Sequence, residues 1–335
     1  MTALVPPALP AARELVGPAL RAAVDLLDPV TRRVAAYHLG WTDHEGRPAD
    51  GGGKALRPAL AVLSSRAAGA APDLPAAAAV ELVHAFSLLH DDIMDGDRTR
   101  RHRPAAWTLF GRAEAILAGD ALLALAGELL AGAGTPGHLQ VARAVGVATR
   151  RLIAGQAADL EFERRTEVSL AECLRMSSDK TGALLSCACA AGALAAGAPP
   201  GLTGALAAFG AEAGLAFQLV DDLLGIWGTP ETTGKPVLSD LRAGKKTLPV
   251  VAALTGGTPA GARLSGLLAR PGPLPEDGLD EAARLVEEAG GRAWAEAEAK
   301  HRLDVAHRHL ADADLPPAVR AEFLEVAAFI TTRDH

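Results

Sequence analysis

Aromatic residues are scarce in this chain: phenylalanine, tryptophan and tyrosine make up 4% of its 335 residues, against 49% hydrophobic residues overall. The core must therefore be built largely from alanine, leucine and valine. No stretch alternates apolar and polar residues with β-branched side chains, which leaves little to build a sheet from. Alanine and leucine are strong helix formers, and the reading is all-α. An excess of basic charge is also lacking. A formal net charge of −7 at pH 7 argues against a nucleic-acid partner and makes metal ions more necessary if the substrate is itself anionic. Cys173, Cys187 and Cys189 are odd in number and have no paired C-x-x-C spacing, so disulfides and a zinc site are not expected. They read as buried, reduced thiols of a cytoplasmic protein. The N-terminus lacks the basic start and apolar core of a secretory leader. Charge is missing altogether between Lys180 and Glu212. Ala198-Pro199-Pro200-Gly201 breaks that run into pieces too short to span a bilayer, so it predicts a buried helical hairpin and no membrane span.

What is present is a cluster of carboxylates. His84-Ala85-Phe86-Ser87-Leu88-Leu89-His90-Asp91-Asp92-Ile93-Met94-Asp95 ends an apolar helix and runs directly into Arg98, Arg100 and Arg101. Asp91 and Asp95 are four residues apart and share one helical face. Three like charges in about one turn repel unless a cation binds them. Oxygen-only ligands suit a hard divalent ion, and Mg²⁺ typically takes one or two carboxylates plus substrate phosphate oxygens. A second run, Phe217-Gln218-Leu219-Val220-Asp221-Asp222-Leu223-Leu224-Gly225, again ends an apolar stretch with paired aspartates. Carboxylates facing each other across a cleft, with basic residues nearby, fit Mg²⁺ ions holding a diphosphate. Further upstream, Gly51-Gly52-Gly53-Lys54 opens onto a helix starting near Arg57-Pro58. It reads either as a plain turn or as a loop whose glycines and helix N-terminus receive an anion.

From about Gly52 to Pro249 these motifs, in this order, resemble the trans-isoprenyl diphosphate synthase (polyprenyl synthetase) family. The resemblance implies an all-α helical bundle around a central cavity that condenses isopentenyl diphosphate with an allylic diphosphate. Residues 21–335 would form that one domain, behind a loosely ordered, proline-rich lead-in over residues 1–20. The implied cofactor is Mg²⁺, three ions with substrate bound, with Mn²⁺ as a substitute, on Asp91, Asp92, Asp95, Asp221 and Asp222. Lys54, Arg57 and His84 match the isopentenyl diphosphate site. Arg100 and Arg101 match the basic pair for the allylic and isopentenyl diphosphates respectively. Lys180-Thr181-Gly182 matches the family's KTG, Gln218 an allylic-site contact, and Lys235 and Lys245 the lysines of a loop that closes over diphosphates. A homodimer is implied too, with the surface around Gly111 to Gly132 as its candidate face.

Departures from the pattern are also legible. Ala55 stands where many members carry arginine, which removes a cation from the isopentenyl site. His102 replaces a glycine after the basic pair. Gly225 replaces the second motif's third aspartate; with Asp221 as the main contact, Gly225→Asp is expected to be tolerated or mildly favourable. Gly155-Gln156-Ala157-Ala158-Asp159 resembles a cavity-lining GQxxD motif, or equally a polar pair bridging helices. Two polar segments, Gly225 to Thr247 and Gly256 to Gly278, read as loops, the first too long for an ordinary connection. The last helices, from Glu281 to Phe329, read as a solvated outer layer.

Product length has a ruler. Phe86 precedes Asp91 by five residues, roughly 7.5 Å along the axis at about 1.5 Å per residue. Its ring would form a floor, whereas Ser87 leaves room, and this favours a short-chain synthase. In the resembled family that combination goes with geranylgeranyl diphosphate; farnesyl or longer polyprenyl diphosphates are the alternatives. A terpene cyclase would not need two aspartate clusters and an isopentenyl site. A non-catalytic partner subunit typically loses aspartates of the first motif, and all three are here.

Overall fold

The computed structural model describes residues 5–229, 237–269 and 274–332. Sixteen α-helices are described in those residues: α1 Ala8–Val24, α2 Pro29–His38, α3 Leu56–Ala67, α4 Leu74–Met94, α5 Ala106–Phe110, α6 Arg112–Ala133, α7 Pro136–Arg164, α8 Leu170–Ser177, α9 Ala183–Ala195, α10 Pro200–Trp227, α11 Ser239–Arg242, α12 Leu248–Thr255, α13 Pro259–Leu268, α14 Glu276–Glu288, α15 Gly291–Ala311 and α16 Pro317–Thr331. A π-helical turn, Ser178–Gly182, joins α8 to α9. The two strands, β1 (Thr99–Arg100) and β2 (Arg103–Pro104), form one small antiparallel hairpin. The all-α reading holds.

The two long helices that carry the aspartates are the axis of the molecule. α4 starts where Asp73 accepts a hydrogen bond from the Ala76 amide at 2.8 Å, with a proline in the first turn. It buries a continuous alanine-rich surface, Ala76 to Val80, and packs closely on α6. α10 starts at Pro200 and packs on α9 and α15 through small residues such as Gly210, Ala213 and Gly214. The uncharged stretch is thus the α9–α10 hairpin, as expected. The first aspartate cluster falls in the last turn of α4, where the backbone dipole is already negative, and the second stands one turn further in from the end of α10. The fold concentrates negative potential there and leaves cations to balance it.

Four expectations are corrected. Of the expected loose lead-in over residues 1–20, the described part from residue 5 is not loose, because α1 begins at Ala8 and buries Leu9, Ala12, Val16, Leu20 and Ala23. Prolines in a first turn cost no hydrogen bond, so Pro6, Pro7 and Pro10 start this helix instead of preventing it. The loop predicted from Gly225 begins only after Trp227, since α10 runs two residues further. The segment Gly256 to Gly278 contains α13, capped by the Thr258 hydroxyl on the Gly261 amide. The last helices are also more than an outer layer: α15 buries Ala295, Ala299, Ala306 and Leu310, and Phe323 of α16 meets Phe209 edge to face. All three cysteines are free and buried. α6 and α10 are long and apolar enough to cross a membrane by composition; 56% of the α10 window is buried inside the protein and 39% of the α6 window.

Candidate active site

At the end of α4 each acidic side chain has a different neighbour. Asp92 is buried and accepts from Arg100 Nε at 2.5 Å; burial pushes its carboxyl up to about 6, against the pull of that guanidinium. Asp95 caps the helix and accepts from Lys245 Nζ at 2.8 Å and Gln156 Nε2 at 3.3 Å. Burial raises the Asp91 carboxyl as well, opposed by Lys180 and Lys245 and aided by Asp95.

α7 faces this cluster. Its Asp159 accepts from Lys180 Nζ at 2.6 Å. Gly155 makes that possible, because a Cβ there would collide with the backbone of Lys180 in the π-turn. The GQxxD motif therefore contacts the site through both of its polar residues, Gln156 and Asp159. Burial works against the charges of Lys180 and Lys245, but the carboxylates around them win and hold both ammonium groups above their ordinary range. The π-turn gives Thr181 a place beside α10, where its hydroxyl donates to Gln218 Oε1 at 2.6 Å. Such turns recur where a helix must aim side chains out of register.

The second motif is built differently. Asp221 is exposed at the end of α10, whereas Asp222 is buried and holds the scaffold. It accepts from Gln218 Nε2 at 2.7 Å and from the Leu248 amide at 2.9 Å. Burial, with the charge of Asp240 added, pushes its carboxyl up to about 8. Gly225 has no room for a side chain: a Cβ there would run into the carboxylate of Asp240, on α11. The expectation that Gly225→Asp would be tolerated is opposed by this packing, since the space of a third aspartate is filled by the Asp240 carboxylate, which would have to turn away. Lys235 lies outside the described residues.

A cationic pocket adjoins the first cluster. Lys54, Arg57, His84 and Arg101 come from the glycine loop, α3, α4 and the β1–β2 turn. Arg101 lies against that loop: a Cβ built on Gly53 would sit 2.8 Å from its Nη2. Arg101 and His102 both have positive φ, 51° and 59°, in the tight two-residue turn between β1 and β2. Such turns prefer Asn-Gly, so two L-residues in the left-handed region are a local strain. Burial lowers Arg57 to about 10, with Glu81 opposing the shift and Arg101 reinforcing it. Burial and the surrounding arginines hold His84 and the nearby His38 well below the usual histidine range. Two contributors lay beyond sequence reading. Arg13, on the unexpected α1, donates Nη2 to the carbonyls of Gly52 and Gly53. Phe329, on α16, lies under the Lys54 ammonium, 4.9 Å from ring centre to Nζ. Neither carries a local motif: Arg13 acts across 39 and 40 residues, and Phe329 reaches Lys54 from near the other end of the chain.

The donor set fits a hard divalent ion. The acidic groups are all carboxylates, and Asp92 Oδ2 is buried without a hydrogen-bond partner. No group of three or more histidine, cysteine or acidic side chains converges among the described residues, so a substrate's phosphate oxygens would have to complete any ion's shell.

Comparison with known proteins bears on this arrangement. Residues 47–284, which hold both aspartate clusters, the glycine loop and the π-turn, match the family model described as polyprenyl synthetase. The chain belongs to the polyprenyl synthetase family. It is a prenyltransferase. The (2E,6E)-farnesyl diphosphate synthase of Mycobacterium tuberculosis is 50% identical over 99% of this chain and 94% of its own length. A geranylgeranyl diphosphate synthase of the same species is 43% identical over 90% and 86%. Among solved structures, a polyprenyl synthetase from Streptomyces coelicolor A3(2) is 50% identical with a TM-score of 0.93, covering 98% of this chain and all of that one. A geranylgeranyl pyrophosphate synthase from Corynebacterium glutamicum, 27% identical with a TM-score of 0.84 over 99% of this chain and 100% of its own, was crystallised with isoprenyl diphosphate and magnesium. Prenyltransferases of this family use divalent metal ions.

In this prenyltransferase Phe86 and Ser87 are both buried on α4, at 6% and 5% exposure. The Ser87 hydroxyl donates to the His84 carbonyl at 2.9 Å, which turns it back along its own helix.

Proposed function

We propose that this protein is a short-chain trans-prenyl diphosphate synthase with geranylgeranyl diphosphate as its main product. The observation that carries the reading is the ring of paired charges at the helix ends: Lys245 on Asp95, Lys180 on Asp159 and Arg100 on Asp92. Each pair places a cation where a diphosphate would arrive, beside a carboxylate able to share a metal with it.

The allylic diphosphate binds against Lys180, Lys245 and Arg100, with Gln218 and Thr181 oriented by their mutual hydrogen bond. Isopentenyl diphosphate binds in the pocket of Lys54, Arg57, His84 and Arg101. Asp91, Asp92, Asp95 and Asp221 would hold magnesium, which would supply Lewis-acid stabilisation of the leaving diphosphate. The carbon–oxygen bond of the allylic substrate breaks, and its electron pair leaves with the diphosphate. The double bond of isopentenyl diphosphate attacks the resulting cation. A proton then departs to the released diphosphate, regenerating an allylic product. Lysines fixed by carboxylates before substrate arrives need little reorganisation as charge develops. Excluding water from this end of the bundle prevents capture of the cation as an alcohol. Asp222, engaged as a buried acceptor, acts by shaping the site, whereas Asp92 gives one oxygen to Arg100 and keeps its unpartnered Oδ2 for a metal.

Phe86, five residues before Asp91, supports the short-chain assignment. Farnesyl diphosphate is the second reading, favoured by the 50% identity to a farnesyl diphosphate synthase. Incubating purified protein with isopentenyl and dimethylallyl diphosphates and Mg²⁺, then sizing the products, tests both. A C20 main product is expected, a C15 product selects the second reading, and no prenyl product overturns the function. The protein acts as a homodimer through α6 and α7, whose exposed Ile116, Leu117, Leu139, Val147 and Ile153 support that assignment. Sedimentation as a monomer at micromolar concentration would count against it.

A further inference from the structure

His90 follows Phe86 by four residues and shares its side of α4. The two rings meet edge to face, with centroids 4.8 Å apart and planes at 68°. The imidazole also reaches α6, where its Nε2 lies 3.1 Å from the Ile116 carbonyl oxygen. At that distance Nε2 carries the proton and donates it. Asp120 Oδ1 stands 3.7 Å from the same nitrogen. Beneath the ring lies Gly119, where a Cβ would collide with both Nε2 and Cδ2. Glycine weakens a helix interior. Gly127 and Gly132 of the same helix have open space where a side chain would go, so Gly119 is the point at which α6 gives way to His90.

An aromatic ring ends an apolar path only if it stays in place. Each condensation adds five carbons to the growing chain, and burying them favours pushing a loose ring aside. A neighbour fixed by its own hydrogen bond and backed by a helix removes the space the ring would turn into.

We propose that His90, seated on Gly119 and tied to the Ile116 carbonyl, is a positioning residue that holds the Phe86 ring across the chain's path and so sets product length. The inference rests on the synthase reading above and on Phe86 as the floor. It places control of product length partly on α6, a helix that carries none of the diphosphate-binding residues.

The test is product sizing from the full-length enzyme with dimethylallyl and isopentenyl diphosphates, with melting temperature and total isopentenyl consumption read alongside. His90→Ala should raise the ratio of longer to main product by roughly tenfold, the scale on which one pocket wall discriminates chain length. Gly119→Ala, which displaces the imidazole without removing it, should shift the ratio the same way; if it does not fold, His90→Ala decides alone. In the Phe86→Ala background, His90→Ala should add nothing, because the ring it holds is gone. An unchanged product ratio in folded, active His90→Ala overturns the proposal. So does further lengthening in the double variant, which would make His90 itself the wall. Wild-type enzyme that forms no prenyl product fails the underlying function instead, and is distinguished by that control.

Discussion

At the end of α4 three aspartates stand within five residues, and two of them meet a cation brought from elsewhere in the chain, Arg100 for Asp92 and Lys245 for Asp95. At the end of α10 the third position is Gly225, one aspartate is buried as an acceptor, and the carboxylate of Asp240 fills the vacated space. The first motif is therefore a local sequence feature completed by one nearby cation, Arg100, and one distant cation, Lys245. The second is completed by a distant carboxylate. Similar-looking sequence stretches have been built by different divisions of labour, and substitutions at matching positions should not have matching effects.

The largest expected effect tests the first motif. Asp91→Ala and Asp95→Ala should each lower kcat by on the order of 10²–10³, the scale of removing one fixed electrostatic contact to a developing charge. Initial rates across a Mg²⁺ titration check this, and unchanged turnover in Asp91→Ala would remove the basis for the site. Lys245→Met should fall in the same direction by a smaller factor, because Lys180 remains beside the same cluster.

The second motif should respond as packing. Gly225→Asp is expected to lose about 1–3 kcal/mol of stability through overpacking and repulsion against Asp240. Gly225→Asp combined with Asp240→Gly should recover most of that loss, since the carboxylate then has the space. Urea denaturation of the three variants measures it. A single Gly225→Asp variant as stable as wild type would show that Asp240 swings away freely and that the two motifs are more alike than their packing indicates.

A pH series sharpens the contrast between the cationic pocket and the acidic ends. His38 and His84 are lowered in the fold, so the unfolded chain takes up their protons first as pH falls. Their effect is nil well above about 6.5 and becomes a loss of stability below it, at most about 1.4 kcal/mol per pH unit for each group. Asp222, pushed up to about 8, has the opposite sign: it destabilises the fold above the ordinary carboxylate range and relieves it as pH falls through about 8. His38→Gln isolates the histidine part. Its stability should fall less than that of wild type between pH 7 and pH 5.5, and parallel curves would contradict the shift. The smallest effect is at the hairpin, where His102→Gly should gain roughly 0.5–1 kcal/mol by relieving one left-handed residue, read as a higher melting temperature.

Much of this was legible in sequence because it is local chemistry. Composition alone pointed to helices, the paired aspartates marked two helix ends, and Ala198-Pro199-Pro200-Gly201 marked the α9–α10 turn. Proline counting failed at α1, because prolines in a first turn look like disorder in composition yet suit the start of a helix whose Leu9, Ala12 and Val16 are buried. The GQxxD motif admits two readings in sequence because its partners, Asp95 and Lys180, are 61 and 21 residues away.

The sequence by itself determined that the chain is helical and acidic, with carboxylates clustered at two helix ends and basic residues following each. These properties depend on neighbours a few residues apart, through backbone propensity and charge spacing. Only the tertiary structure decided which aspartates are exposed and which are buried acceptors, that Lys245 closes onto Asp95 across 150 residues, and that Gly225 makes room for Asp240. Those outcomes depend on how closely packed helices approach, and that distance is set by small residues whose spatial partners the order of residues does not name.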